Sequence, residues 1–240
     1  MPLVTALVAL ALWILLAARN SPHVLPGPNL VWSAFQTSWA QDQFQPAFVT
    51  TLVEATTGWA IGAAAGLVLG YLISRSRLLE YAVTPYLAGA QAAPMIAVAP
   101  LLLLWLGLGM QLKIWLAAVI ALFPVMTTTI SGIRAVKRDY VDVARVFGAS
   151  WWQQALHVEG PLSARSIFAG ARIAIVLAVV GAFVGELVNP DQGLYAYIQL
   201  QNQSFDTAGV FVGVLALMAL AAFLFAVLIA IERMTIRWME

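Results

Sequence analysis

Cysteine is absent from the 240 residues, so the chain can form no disulfide, thiolate metal site or cysteine nucleophile, and it gives no clue to redox compartment. Charge is nearly as scarce. Only 10% of the side chains are Asp, Glu, Lys or Arg, against roughly a quarter in an ordinary soluble domain. No nucleic-acid partner is expected, although a net balance of +1 by itself says nothing about nucleic acid or acidic partners. The sequence also lacks a G-x-x-x-x-G-K-[ST] phosphate loop, a G-x-S-x-G nucleophile elbow and an H-E-x-x-H pair. ATP cannot be held here in the usual way, and neither a catalytic centre nor a cofactor site is expected.

What fills the chain instead is apolar: 62% of residues are hydrophobic and the mean hydropathy is +0.89. The apolar residues gather in runs near the ~20 residues that cross a bilayer as helix. Backbone groups inside lipid must bond within their own segment, which makes helices of such runs. A barrel would alternate polar and apolar positions over shorter segments. Six runs stand out, at Leu3–Ala18, Phe48–Ile73, Pro85–Leu108, Leu112–Ile133, Ile167–Val188 and Val210–Ile231. The first lacks the basic flank of a secretion signal and reads as a short first span. The expectation is one all-α integral membrane domain over residues 1–240 with about six transmembrane helices.

Positive charge orients it. If the loops after spans two and four and the C-terminus face the cytoplasm, that side holds Arg75, Arg77, Arg134, Lys137, Arg138, Arg145, Arg165, Arg233 and Arg237. The other side holds Arg19 and Lys113. Both termini are therefore expected in the cytoplasm, and His23 and His157 fall on opposite faces, where they cannot share a metal.

Span two carries Gly58, Gly62, Gly66 and Gly70 at intervals of four, a stripe that lets two helix backbones approach. Span three contains Pro94 and Pro100, each of which removes a donor and tends to kink a helix; a transport element and a simple bend fit equally. On the outer side, "NLVWSAFQTSW" has an apolar stripe through Leu30, Ala34, Phe35 and Trp39 that suggests a short interfacial helix. "NPDQGLYAYIQLQNQSFDT" reads as an amide- and tyrosine-rich loop, either a wetted interface or a docking surface for an external partner.

Ionisable residues inside spans are costly and often functional. Arg172 reads as snorkelling to the inner headgroups. Glu186, about 21 Å further along an ideal helix, sits near the outer mouth, either solvated or lining a path. Glu54 reads as interfacial.

The segment "RDYVDVARVFGASWWQQALHVEGPL" at 138–162 interrupts this apolar pattern. Tyr140, Val143, Ala144 and Phe147 share one helix face, while Asp142 and Arg145 share another and can pair. Gly148 breaks the helix. Ser150 and Gln153 then make a capping box for a second one, and Pro161 ends it or opens the next segment. Helix, glycine, helix is the motif: either an elbow on the inner membrane surface with its tryptophans in the headgroups, or a knob that inserts into a cytoplasmic protein.

Here "VDVARVFGASWWQQALHVEGP" resembles the cytoplasmic EAA loop of ABC importer permeases, E-A-A, three residues, G, nine residues, I-x-L-P. Asp142, Val143 and Ala144 take the first three positions, Gly148 the glycine, Val158 the isoleucine and Pro161 the proline. Asp142 is shorter than Glu, and Glu159 and Gly160 depart before the proline. "LPGPNLVWSAF", "APMIAVAPLLLLWLGLG", "FAGARIAIVLAVVGAFVGELV" and "DQGLYAYI" resemble segments of the subfamily that imports sulfonates, taurine, nitrate and thiamine precursors, with Arg172 and Glu186 at positions where it often has Arg and Glu. The resemblance implies a type I importer fold in a bacterial cytoplasmic membrane. It also implies that a second copy of the permease, two separate ATPase subunits, an extracytoplasmic solute-binding protein and surrounding lipid are its partners. On that view residues 134–165 form the coupling loop, with Asp142, Val143, Ala144, Gly148, Ala149 and Ser150 contacting the ATPase. Spans three and five would line the solute path, with Gln91, Met95 and Glu186 as candidates. A stand-alone secondary carrier or channel is the alternative. Lack of basic residues in the outer halves of spans three and five, with acidic, amide and aromatic outer regions, leans toward a neutral or cationic heterocycle such as a vitamin precursor, with sulfonate or nitrate still open.

Overall fold

The computed structural model describes residues 2–92 and 95–236, with the side chains of residues 2, 3, 6, 88, 90–92, 95 and 96 outside the description. It is all helical, with no strand among the described residues. In chain order come α1 (Pro2–Arg19), α2 (Pro28–Ala40), α3 (Phe44–Ser74), α4 (Arg77–Ala92), α5 (Met95–Leu106), α6 (Met110–Ala135), α7 (Arg138–Val146), α8 (Trp151–Gln154), a π turn (Ala155–Glu159), α9 (Gly160–Val188), α10 (Leu194–Gln203) and α11 (Thr207–Thr235). Among the described residues, four helical stretches are long and apolar enough to cross a membrane: Phe44–Ser74, Met110–Ala135, Trp151–Val188 and Thr207–Thr235. Shorter apolar helices among them cover Leu7–Arg19 and Ala97–Leu106.

The structure places three of the expected segments. The described parts of the third run lie in α4 and α5, with Pro85 inside α4 and Pro100 inside α5, while Pro94 falls outside the described residues. The outer stretch after span five is not a loop but holds α10. In α2 the packed stripe is Val31, Ala34, Phe35 and Ser38, whereas Leu30 and Trp39 are exposed.

The chain divides into two compact units. One comprises Met1–Val53 with Glu186–Leu220. Its core gathers Val31, Phe44, Leu194, Tyr197, Val212 and Ala216. Phe44 is the aromatic hub, meeting Phe35 edge-on at 5.2 Å and Tyr197 at 5.8 Å between centroids. Buried polar tips find partners, as such rings require: the Tyr197 hydroxyl bonds Ser38 Oγ at 2.7 Å, and Trp13 Nε1 donates to Pro26 O at 3.0 Å.

The second unit comprises Glu54–Gly185 with Ala221–Glu240 and is built around α6, which has buried residues from Leu112 to Ile133. The glycine stripe of α3 explains how. A Cβ at Gly58 would meet Ile114 O at 2.7 Å, at Gly66 Leu122 O at 2.6 Å and at Gly70 Met126 O at 2.7 Å, and at Gly62 it would overlap the Ala118 carbonyl. Backbone rests on backbone along three turns. From α9, Gly181 and Gly185 approach Ala117 and Lys113 equally closely, 2.7 Å from a Cβ to each Cα. Trp59 Nε1 ties α3 to α9 by donating to Ala171 O at 3.1 Å. Without a hydrophobic drive between helices in lipid, such close backbone packing and interhelical hydrogen bonds hold the bundle.

Candidate functional site

The segment that interrupted the hydropathy pattern folds as its spacing indicates. After α7, Gly148 N donates to Arg145 O at 2.9 Å and Ala149 N to Ala144 O at 3.0 Å, the paired bonds of a Schellman stop. Gly148 sits at φ +79, a left-handed value that a side chain disfavours. Ser150 then begins α8 with both bonds of the capping box: Ser150 N donates to Gln153 Oε1 at 2.7 Å and Gln153 N to Ser150 Oγ at 3.4 Å.

What α7 presents is unusual for a polar helix. Every one of its residues is at least partly exposed, and Tyr140, Val143, Val146 and the following Phe147 are 54%, 56%, 86% and 86% exposed. Asp142 and Arg145 pair across one turn at 3.1 Å with both side chains in solvent, a contact worth little to stability. These large apolar side chains form an exposed patch on a polar helix, and patches of that kind mark contact sites for protein or membrane.

Pro161 opens the next segment, one of the two roles its position allowed, in the first turn of α9. From Trp151 the helix runs on through the π turn into α9. Pro161 has no N–H to give, and its ring would crowd the preceding turn; the wider turn just before it takes up the misfit. Gly160 fits here because a Cβ would come within 2.8 Å of Ala155 O. Glu159, the other departure from the loop pattern, is buried and accepts from Arg75 Nη1 at 2.6 Å and Tyr71 Oη at 2.8 Å. It fastens the base of α9 to the end of α3, so the loop is joined to a span by a charge-assisted contact as well as by chain continuity.

Other ionisable side chains are also paired. Arg172 has a carboxylate partner: its Nη1 lies 3.1 Å from Glu232 Oε2, between α9 and α11. Glu54, expected at the interface, is fully buried 3.5 Å from the equally buried Lys113, between α3 and α6. Two lone charges of opposite sign in neighbouring apolar spans were the available signal, since charge in a bilayer pairs. Arg134 and Glu80 form a further pair at 2.8 Å.

Among the candidate path residues, the side chains of Gln91 and Met95 lie outside the described residues. Glu186 is not solvated; it is fully buried. Thr51 Oγ1 donates to its Oε1 at 2.5 Å and Tyr195 N to its Oε2 at 2.7 Å, while Leu194 N donates to Thr51 Oγ1 at 2.8 Å. Thr51 and Glu186 thus satisfy the first N–H groups of α10, where a carboxylate also complements the helix dipole. Gly193, at φ +104, leaves room for this contact, since a Cβ there would overlap the Glu186 carboxylate.

Comparison with known proteins matches residues 62–237 to a family described as "Binding-protein-dependent transport system inner membrane component". The riboflavin transport system permease protein RibX of Chloroflexus aurantiacus is 34% identical over 215 residues, spanning 90% of this chain and 80% of its own. The formylaminopyrimidine transport permease protein ThiX of Halalkalibacterium halodurans is 29% identical over 239 residues, spanning 99% and 95%. A chain from an inward-facing structure of the MetNI methionine ABC transporter is similar in fold, with a TM-score of 0.65 at 18% identity over 81% of this chain and 94% of that one.

Proposed function

Because the chain belongs to the binding-protein-dependent transport system inner membrane component family, made up of ABC importer permeases, we propose that it works as one permease domain paired with a second copy. Two separate ATPase subunits drive the pair, and an extracytoplasmic binding protein delivers the solute. This accounts for a transporter that carries no phosphate loop of its own. The observation that carries the proposal is α7: a polar helix with Tyr140, Val143, Val146 and Phe147 turned outward and a rigidly capped bend at Gly148. Asp142, Val143, Ala144, Gly148, Ala149 and Ser150 are its contact segment for the ATPase, on the cytoplasmic side with both termini. Movement of the ATPase would reach the spans through the unbroken helix from Trp151 to Val188 and through the contact of Glu159 with Arg75 and Tyr71.

Alternating access would carry the solute past spans three and five, with Gln91, Met95 and Glu186 as candidate path residues. Glu186 would be freed only when α10 releases it, which makes it a candidate of the moving outer gate. The substrate class we favour is a heterocyclic vitamin or vitamin precursor. The relatives named for riboflavin and formylaminopyrimidine support it, as do the amide- and aromatic-rich outer segments.

Uptake by the reconstituted complex tests both levels. Accumulation that follows ATP, with a riboflavin- or pyrimidine-type solute outcompeting an alkanesulfonate, supports the proposal. Accumulation driven by an ion gradient without ATP would return a stand-alone carrier to first place, and preference for the sulfonate would overturn the substrate class alone.

A further inference from the structure

A cavity of about 370 Å³ opens in the second unit beside α7. Five arginines line it: Arg75 and Arg77 from the α3–α4 corner, Arg134 from the end of α6, and Arg138 and Arg145 from α7. The two acids in its wall are both engaged. Asp142 holds Arg145 at 3.1 Å, and Glu159 holds Arg75 at 2.6 Å. Arg77 and Arg138 have no carboxylate partner among the described residues. Arg134 has its Nε 2.8 Å from Glu80 Oε2, yet its buried Nη2 meets no hydrogen-bond acceptor among the described residues. A buried donor left without an acceptor costs free energy, and an anion in the cavity would remove that cost. The N-terminus of α7 opens on the same region without a side-chain cap, and the positive end of a helix adds to the attraction.

We infer that this arginine-lined cavity binds a phosphate-bearing anion, supplied either by an anionic phospholipid headgroup or by soluble phosphate. Phosphate fits better than a carboxylate because the available guanidinium donors, on Arg77, Arg138 and Nη2 of Arg134, come from three elements, α4, α6 and α7. A tetrahedral group with several acceptor oxygens can meet all three, whereas a planar carboxylate satisfies one fork. Bound there, the anion bridges α4, α6 and α7 and fixes the angle of α7. Binding stands on the cavity alone; that consequence for coupling rests on the function proposed above.

The test uses the full-length chain, purified in a neutral detergent and stripped of lipid. Dioctanoyl phosphatidylglycerol, dioctanoyl phosphatidylcholine and inorganic phosphate are titrated separately, with binding read by native mass spectrometry and by thermal unfolding. Phosphatidylglycerol is expected to bind and protect better than phosphatidylcholine. Arg138→Gln should weaken it about five-fold, the ratio equivalent to about 1 kcal/mol per basic residue facing an anionic headgroup. Arg233→Gln removes the same charge away from the cavity and should leave binding unchanged. If inorganic phosphate alone protects and displaces the lipid, the source is soluble phosphate; if it does neither while phosphatidylglycerol does both, the source is lipid. The inference is overturned if neither anion binds the wild-type chain, or if Arg138→Gln and Arg233→Gln weaken binding equally, which would mark general surface charge. Arg77→Gln is the second variant, expected to match Arg138→Gln because both side chains are exposed and hold no carboxylate.

Discussion

Replacing Glu159 by Ala removes the contact that joins the base of α9 to the end of α3. The carboxylate is 6% exposed and accepts two hydrogen bonds, from Arg75 at 2.6 Å and Tyr71 at 2.8 Å. A hydrogen bond to a charged group contributes about 1.5–3 kcal/mol. The share of Arg75 is discounted, because its side chain is 38% exposed and half-exposed pairs fall toward about 1 kcal/mol. Together the loss comes to roughly 2–4 kcal/mol. Glu159→Gln keeps the shape and one acceptor oxygen and should cost about half as much. Thermal unfolding of the purified chain in one fixed detergent reads the stability, and ATP-driven uptake by the reconstituted complex reads the coupling. The order expected is wild type, Glu159→Gln, then Glu159→Ala in both assays, with Arg75→Ala milder than Glu159→Ala. An alanine variant that unfolds and transports like wild type would refute the idea that this contact carries load between loop and span.

Gly148→Leu should abolish uptake while the chain still reaches the membrane, since a side chain at φ +79 costs about 1–2 kcal/mol and tilts α7 against α8; normal uptake would remove the bend from the mechanism. Asp142→Ala should leave the unfolding temperature unchanged, because its pair with Arg145 is exposed, yet weaken co-purification of the ATPase. Gly62→Ala places a methyl on the Ala118 carbonyl and should cost about 1–3 kcal/mol by overpacking. Gly89→Ala, where no described residue lies within 4 Å, should be neutral in the same unfolding assay. The Tyr197 phenol is held above its ordinary value, chiefly by burial; its hydrogen bond with Ser38 opposes the shift and Asp206 adds to it. Its contribution to stability is therefore full below pH ~10 and lost as pH rises through the folded value, a decline that Tyr197→Phe should abolish in a pH series of unfolding temperatures.

Local patterns proved the most legible features. Four glycines at intervals of four implied close backbone packing, and α3 lies on α6 through just those positions. Ser150 and Gln153 implied a capping box, and Gly148 a stop, because such bonds depend only on neighbours in the chain. What depends on distant partners was hidden. Nothing beside Arg172 announces Glu232, sixty residues on. Nothing beside Glu159 announces Arg75, so a departure from the loop pattern proved to be a structural joint. Hydropathy outlines an apolar run but not the course of the helix within it. The shift of the α2 stripe from Leu30 to Val31 reflects a similar limit: helical period finds a face but not which edge of it meets a neighbour. That the chain runs as unbroken helix from Trp151 through Pro161 was not legible, because a π turn has no sequence signature of its own.

The absence of native cysteine makes the most direct test clean. Val146 is 86% exposed on α7, so Val146→Cys places a single thiol on the proposed coupling face. A short bismaleimide applied to native membranes should join it to a chain bearing a phosphate loop, identified by peptide mass spectrometry, with a yield that changes when ATP is added. A thiol that reacts with a membrane-confined maleimide and joins no ATPase chain would contradict the account and make α7 an elbow lying on the membrane surface.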